Sequence, residues 1–155
     1  MKSVVSSRRS KEVVRAATQV SVYLVLYSQD NILFSLRQNT GYCDGCYGLV
    51  SGHVEQNESA YAAMIREARE EAGVIIQERD LRLAHVLHRK TGRLNIDLFF
   101  TCHRFEGEVV NCEPDKCGAL SFFEDQNDPT PTVDYVLEAL DVIKRGELYA
   151  EKGWE

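Results

Sequence analysis

The stretch GHVEQNESAYAAMIREAREEAGV, Gly52–Val74, decides how this chain is read. Its apolar residues recur at helical spacing from Glu58 or Ser59 to about Ala72. Asn57 or Ser59 can cap the start, and Gly73 can adopt the left-handed conformation that ends a helix. At about 100° per residue, Tyr61, Met64, Ile65, Ala68 and Ala72 gather on one side, the expected core face. Glu67, Glu70 and Glu71 stand at i, i+3 and i+4 and project together from a roughly opposed side. Ala60 and Ala63 share that side and leave room for something to lie close to the backbone. Like charges at this spacing cost a few tenths of a kcal/mol each, and carboxylates late in a helix oppose its dipole. One reading is a solvated face with Arg66 and Arg69 as partners, Arg66–Glu70 being an i, i+4 pair. The other is a site for a hard cation, which takes oxygen ligands. The helix by itself does not choose between them.

The residues upstream do. Gly52, Glu58, Arg66, Glu67, Glu70, Glu71, Gly73 and Val74 fill the fixed positions of a pattern 23 residues long, the Nudix box. The chain therefore resembles a Nudix hydrolase, and the order of strands and helices outside the box fits that family's α/β/α sandwich with a mixed β-sheet. Ala68 is a small version of an aliphatic position, and Val50 stands where many members have proline; neither departure removes a charge.

The resemblance implies a catalyst that cleaves a diphosphate linkage in a nucleoside diphosphate bound to another group. It implies Mg²⁺, or Mn²⁺, held by Glu67, Glu70 and Glu71 with the Gly52 carbonyl, and Glu58 assisting from behind. Arg66 would orient the glutamates, and Glu67 is the first choice for general base, with Glu113 or Asp115 as alternatives. Arg37, at the end of a strand, is a candidate phosphate contact or a plain surface arginine. Tyr42, Asp44 and His53, beside the box, have the same two readings. The undecorated chain looks like the MutT-like branch, which includes nucleoside triphosphate pyrophosphohydrolases releasing a monophosphate and pyrophosphate. Hydrolysis of nucleoside diphosphate sugars or related conjugates is the alternative, and a non-catalytic nucleotide-binding module the third. That branch can read a base with an amide near the last helix, and Asn127 lies close to that place. A homodimer is plausible by resemblance alone.

Around the box, VSVYLVLY (Val20–Tyr27) reads as a buried strand and ILFSLRQ (Ile32–Gln38) as its hairpin partner after a polar turn. NTGYCDGCYG is a surface loop and YGLVSG a short strand. LRLAHVLHR and RLNIDLFFTCHRF flank KTG as a second hairpin, and ALSFFE is another strand. TVDYVLEALDVIKRG reads as an amphipathic helix on Val133, Leu137, Leu140 and Ile143 or Lys144, ended by Gly146. Strands around a central helix, with a helix last, indicate an α/β fold. Residues 1–15 are expected to be a flexible lead-in and 16–155 a single domain.

The 155 residues, 44% hydrophobic and 27% charged, suit one globular domain. A net charge of −6 argues against a nucleic-acid polymer or a membrane surface as partner. It leaves open a small anion, because a bound cation reverses the local sign. Five cysteines, with no secretory pattern at the N-terminus, point to free thiols and a cytoplasmic protein. Cys43 with Cys46, and Cys112 with Cys117, invite a zinc reading, but the second pair is widely spaced and no histidine stands at a matching interval. His85, His88 and His103 read as sheet residues. Trp154 is either an anchor or an exposed tail aromatic.

Overall fold

The structure is a computed structural model that describes residues 11–155; residues 1–10 of the expected lead-in lie outside the described residues. Among the described residues, eight strands and two α-helices follow one another. They are β1 (Thr18–Ser28), β2 (Asn31–Arg37), β3 (Tyr47–Gly48), β4 (Val50–His53), α1 (Ala60–Ala72), β5 (Leu81–Thr91), β6 (Arg93–Cys102), β7 (Cys117–Glu124), α2 (Asp134–Lys144) and β8 (Tyr149–Lys152).

β1 is the hub of a mixed sheet. It pairs parallel with β6 from Thr18↔Leu94 to Leu26↔Cys102 along one edge. Its other edge is shared: Ser21–Leu24 pair antiparallel with β4, while only Tyr27 and Ser28 pair with β2. The expected hairpin of the first two strands is thus confined to the turn. β2 then leaves and pairs along its length with β7. The KTG hairpin joins β5 and β6, antiparallel from Leu81↔Cys102 to Thr91↔Arg93.

Alternating side chains give the sheet two apolar faces. Val22, Leu24, Leu26, Val50 and Phe100 pack with Ala63, Met64, Ala68 and Ala72 of α1. Tyr23, Val25, Phe34, Leu87 and Phe99 pack with Val136, Ala139 and Leu140 of α2. The expected core faces hold for Met64, Ile65, Ala68 and Ala72 of α1 and for Leu140 and Ile143 of α2, with exchanges at their margins. In α1, Ala63 is fully buried instead of lining the carboxylate side, and Tyr61 is 36% exposed with its ring 5.3 Å from that of Phe100. In α2, Leu137 is exposed and the apolar stripe is Val136, Ala139, Leu140 and Ile143. The small alanines win the contact with the sheet because they let helix and strand approach closely.

Ser59 caps α1 through its hydroxyl, which accepts from the Ala62 N–H, and Gly73 ends it at φ 68°. Two further features depart from the sequence expectation. YGLVSG breaks at Leu49 into β3 and β4, which serve different partners. The C-terminus adds β8, parallel to the outer edge of β5. Trp154 finishes that strand as an anchor, its Nε1 donating to the His88 carbonyl at 3.1 Å and Lys90 Nζ lying 5.3 Å from the ring centroid. No described helix is long and apolar enough to cross a membrane.

Gly153 permits this closure: its φ is 84°, and a Cβ there would overlap the Lys90 carbonyl. Gly153→Ala should therefore detach the tail at a cost of about 1–3 kcal/mol. Trp154 is the only tryptophan, so a red-shifted emission spectrum with a lowered Tm would report the change, and an unshifted spectrum would refute it.

Candidate active site

The box folds so that β4 runs beside α1. Gly52 faces the helix, and a Cβ on it would overlap the Glu67 carboxylate. The missing side chain is thus what lets a helix carboxylate lie against strand backbone. One turn on, Glu71 Oε2 accepts a hydrogen bond from the Ser51 N–H at 3.0 Å.

Arg66 ties the rest together. Its Nε and Nη2 donate to the two oxygens of Glu58 at 3.0 and 2.7 Å, a bidentate fork. Nη1 donates to Glu67 at 2.8 Å and to Glu70 at 3.1 Å, and Nη2 also reaches the His53 carbonyl at 3.2 Å. Glu58 in turn accepts from the Glu55 N–H at 2.8 Å. The hydrogen bond to Arg66, aided by that backbone donor, draws the Glu58 carboxyl down to about 2.

The other carboxylates shift the opposite way. Burial, with Glu67 and Glu113 as like-charged neighbours, pushes Glu71 up to about 8. Burial also raises Glu67, against the pull of Arg66. Among the described residues, no three acidic, imidazole or thiol groups converge at ion-holding distance. Glu67 and Glu70 turn toward Arg66, the cation within their reach, so the convergence expected from helical spacing is only approximate. The donor set nevertheless suits a hard cation: Glu71 is half-buried with a backbone N–H and, among the described residues, no ion-pair partner, and Glu67 lies on the bare backbone at Gly52.

An open cleft of about 530 Å³ lies on the α2 side of β4. Ser51, Gly52 and His53 form one wall, Arg37, Thr40 and Tyr42 a second, and Tyr23, Arg89, Arg93 and Tyr135 the remainder. A groove of about 340 Å³ continues across Gly52 to Glu71, Glu113 and Lys116. β4 therefore separates the carboxylates from the cleft by the thickness of a single strand. Arg37 does line both spaces; its Nε donates to the Tyr42 carbonyl at 2.9 Å and its Nη2 to Thr40 Oγ1 at 3.1 Å. Asp44 faces inward to its own loop, accepting from the Thr40 and Gly41 N–H groups. His53 Nδ1 lies 3.0 Å from Ser21 Oγ, and burial, then Arg93, lowers its pKa.

Of the candidates for base chemistry, Glu113 lies in the groove beside Glu71, whereas Asp115 does not line it. Asn127 is not on the cleft; its amide donates to Glu124 at 3.2 Å. The residues missed from sequence are Tyr23, Ser51, Arg89, Arg93, Asp97 and Tyr135. The one sequence signal was Arg89, two residues beyond Leu87 on the same face of its strand; the burial of Arg89 and Asp97, 8% and 0% exposed, is seen only in the structure.

Gly52→Ala should displace the Glu67 carboxylate while leaving the fold intact, because the clash falls on the end of a flexible side chain. An unchanged Tm with loss of divalent-cation binding by calorimetry is the expected pair of results. Glu71 gives a pH test. A carboxyl raised from 4.5 to about 8 by folding keeps a proton that the unfolded chain releases. Its contribution to stability therefore falls as pH rises from 4.5 toward 8. Thermal melts of metal-free protein across that range should show the decline, and Glu71→Gln should flatten it.

A family model described as a NUDIX domain matches residues 17–132. No curated protein matches the chain significantly. Among solved structures, a MutT NUDIX hydrolase from Burkholderia pseudomallei is similar at 26% identity and TM-score 0.74, over 81% of this chain and 97% of that one. A MutT protein from Methanosarcina mazei Go1 shares the fold at 18% identity and TM-score 0.72, over 86% and 97%. So does an ADP compounds hydrolase at 19% identity and TM-score 0.69, over 84% and 74%. With the box geometry, these matches establish that the chain belongs to the Nudix family, hydrolases of phosphorus-containing anhydrides that use divalent cations.

Proposed function

We propose that this protein is a Mg²⁺-dependent pyrophosphohydrolase that converts a nucleoside triphosphate to the monophosphate and pyrophosphate. The observation that carries the reading is the arrangement at Gly52. Carboxylates on one side of a single bare strand position stand next to a cleft bordered by arginines and tyrosines on the other. A polyphosphate laid across that position places its anhydride at the carboxylates and its nucleoside in the cleft.

In this reading Glu67, Glu70, Glu71 and the Gly52 carbonyl hold the cation, which neutralises phosphate charge and lowers the pKa of water. Glu58 fixes Arg66, and Arg66 fixes Glu67 and Glu70, so the carboxylates are positioned before substrate arrives. Glu67 serves as general base, with Glu113 as the nearest substitute across the groove. Arg37 meets a phosphate oxygen at the junction of the two spaces. Positioning and electrostatics supply most of the rate, as in other phosphoryl transfers.

A screen of nucleoside triphosphates and diphosphate conjugates with Mg²⁺ should release pyrophosphate from triphosphates. Glu70→Gln should lower kcat by at least about 100-fold, the usual scale for a lost electrostatic contact at the reacting centre. Arg66→Lys should also cost at least about 10-fold, because lysine cannot form the fork to Glu58. Turnover of conjugates alone, without pyrophosphate, would replace this reading by the nucleoside diphosphate sugar alternative. Nucleotide binding without any turnover would point to a non-catalytic module.

A further inference from the structure

At the floor of the cleft, Arg89 is held flat and only partly satisfied. Its Nε donates to Asp97 Oδ2 at 2.6 Å and its Nη2 to Oδ1 at 3.3 Å. Nη1 donates to Thr91 Oγ1 at 3.1 Å. The guanidinium carbon lies 4.2 Å from the ring centroid of Tyr135, which covers one face. Tyr135 is fixed in turn by Tyr23, hydroxyl to hydroxyl at 3.2 Å, and Tyr23 stacks on Phe99 at 4.7 Å.

A guanidinium carries five N–H donors. Three are used here, leaving two, one on each terminal nitrogen. Asp97 neutralises the charge, and both residues are buried, so this group is poorly suited to a phosphate. It suits a neutral, planar partner with two adjacent acceptors. By contrast, Arg37 and Arg93 border the same cleft without a carboxylate partner among the described residues and are available to anions.

We propose that Arg89, oriented by Asp97 and Tyr135, is the specificity-determining residue of the cleft and selects nucleobases with two adjacent acceptors. Guanine offers O6 and N7, and cytosine offers N3 and O2. Adenine sets a donor beside each ring acceptor on its outer edges, and uracil and thymine set N3–H between their carbonyls, so both would leave one Arg89 donor facing another donor. The inference rests on the proposed nucleotide substrate and adds the base to it. Good two-point recognition by arginine is worth about 1–3 kcal/mol of discrimination, which corresponds to about 5- to 150-fold in affinity.

The test is calorimetric binding of the α,β-methylene analogues of GTP, CTP, ATP and UTP to the full chain with Mg²⁺, which needs no turnover. A second arm uses the α,β-methylene analogues of ITP and 7-deaza-GTP beside that of GTP. GTP, CTP or both should bind at least about 5-fold tighter than ATP and UTP. If guanine is the base, ITP should match GTP and 7-deaza-GTP should fall to the level of ATP; if cytosine, only CTP should stand out. Arg89→Ala would strand Asp97 and unfold the site, so Arg89→Lys and the pair Arg89→Gln with Asp97→Asn are used. Each keeps a hydrogen-bonded partner for position 97 and should reduce the preference to under about 3-fold. Equal or undetectable binding of the four analogues, or a preference retained in both variants at native Tm, would overturn the inference. Hydrolysis of conjugates alone would overturn the triphosphate assignment instead, and leave the base ranking standing.

Discussion

Everything at the site depends on one guanidinium. Arg66 meets Glu58, Glu67, Glu70 and a β4 carbonyl at once. No carboxylate cluster on an isolated helix would hold this arrangement, because neighbouring negative charges repel. Glu58, ahead of the helix, fastens the arginine from behind, and the arginine then fixes the carboxylates in front. The pair is partly exposed, so its worth lies in geometry more than in stability. The second requirement is the bare strand position at Gly52, without which Glu67 has nowhere to lie.

The sheet then assigns separate tasks to its two faces. The α1 face holds the carboxylates, and the α2 face holds arginines and tyrosines above a second apolar core. β4 borders both the cleft and the groove, with Ser51, Gly52 and His53 lining each. A substrate that crosses this strand meets acid on one side and base on the other. The chain's net charge of −6 conceals this local division.

The helix, its caps and its charged residues were legible in the sequence because their spacing is local: Ser59, Gly73 and the pattern from Gly52 to Val74 all speak within a few turns. The two strands of the KTG hairpin were legible for the same reason. The cleft was not. Tyr23, Arg89, Asp97 and Tyr135 come from three strands and a helix, and they meet only through the register of β1 with β6 and of β5 with β6. Alternation along β6 sets Asp97 with Asn95, opposite Leu94, Ile96 and Leu98, so nothing in the sequence announces that it is buried against Arg89. β8 escaped notice because it is short, largely polar and stabilised by a distant strand edge. Ala63 and Ala139 were not legible as core residues because alanine carries little hydrophobic weight in a periodicity and much in close packing.

The parallel pairing of β1 with β6 has a consequence for how the molecule comes into being. Thr18 finds its partner at Leu94, beyond the whole of the first helix. A growing chain therefore exposes one edge of β1 before the strand that pairs with it has been made. Long-range pairing of this kind slows folding and prolongs the life of partly covered intermediates. The acidic box is made in that interval, and its like charges oppose the association of two such unfinished chains.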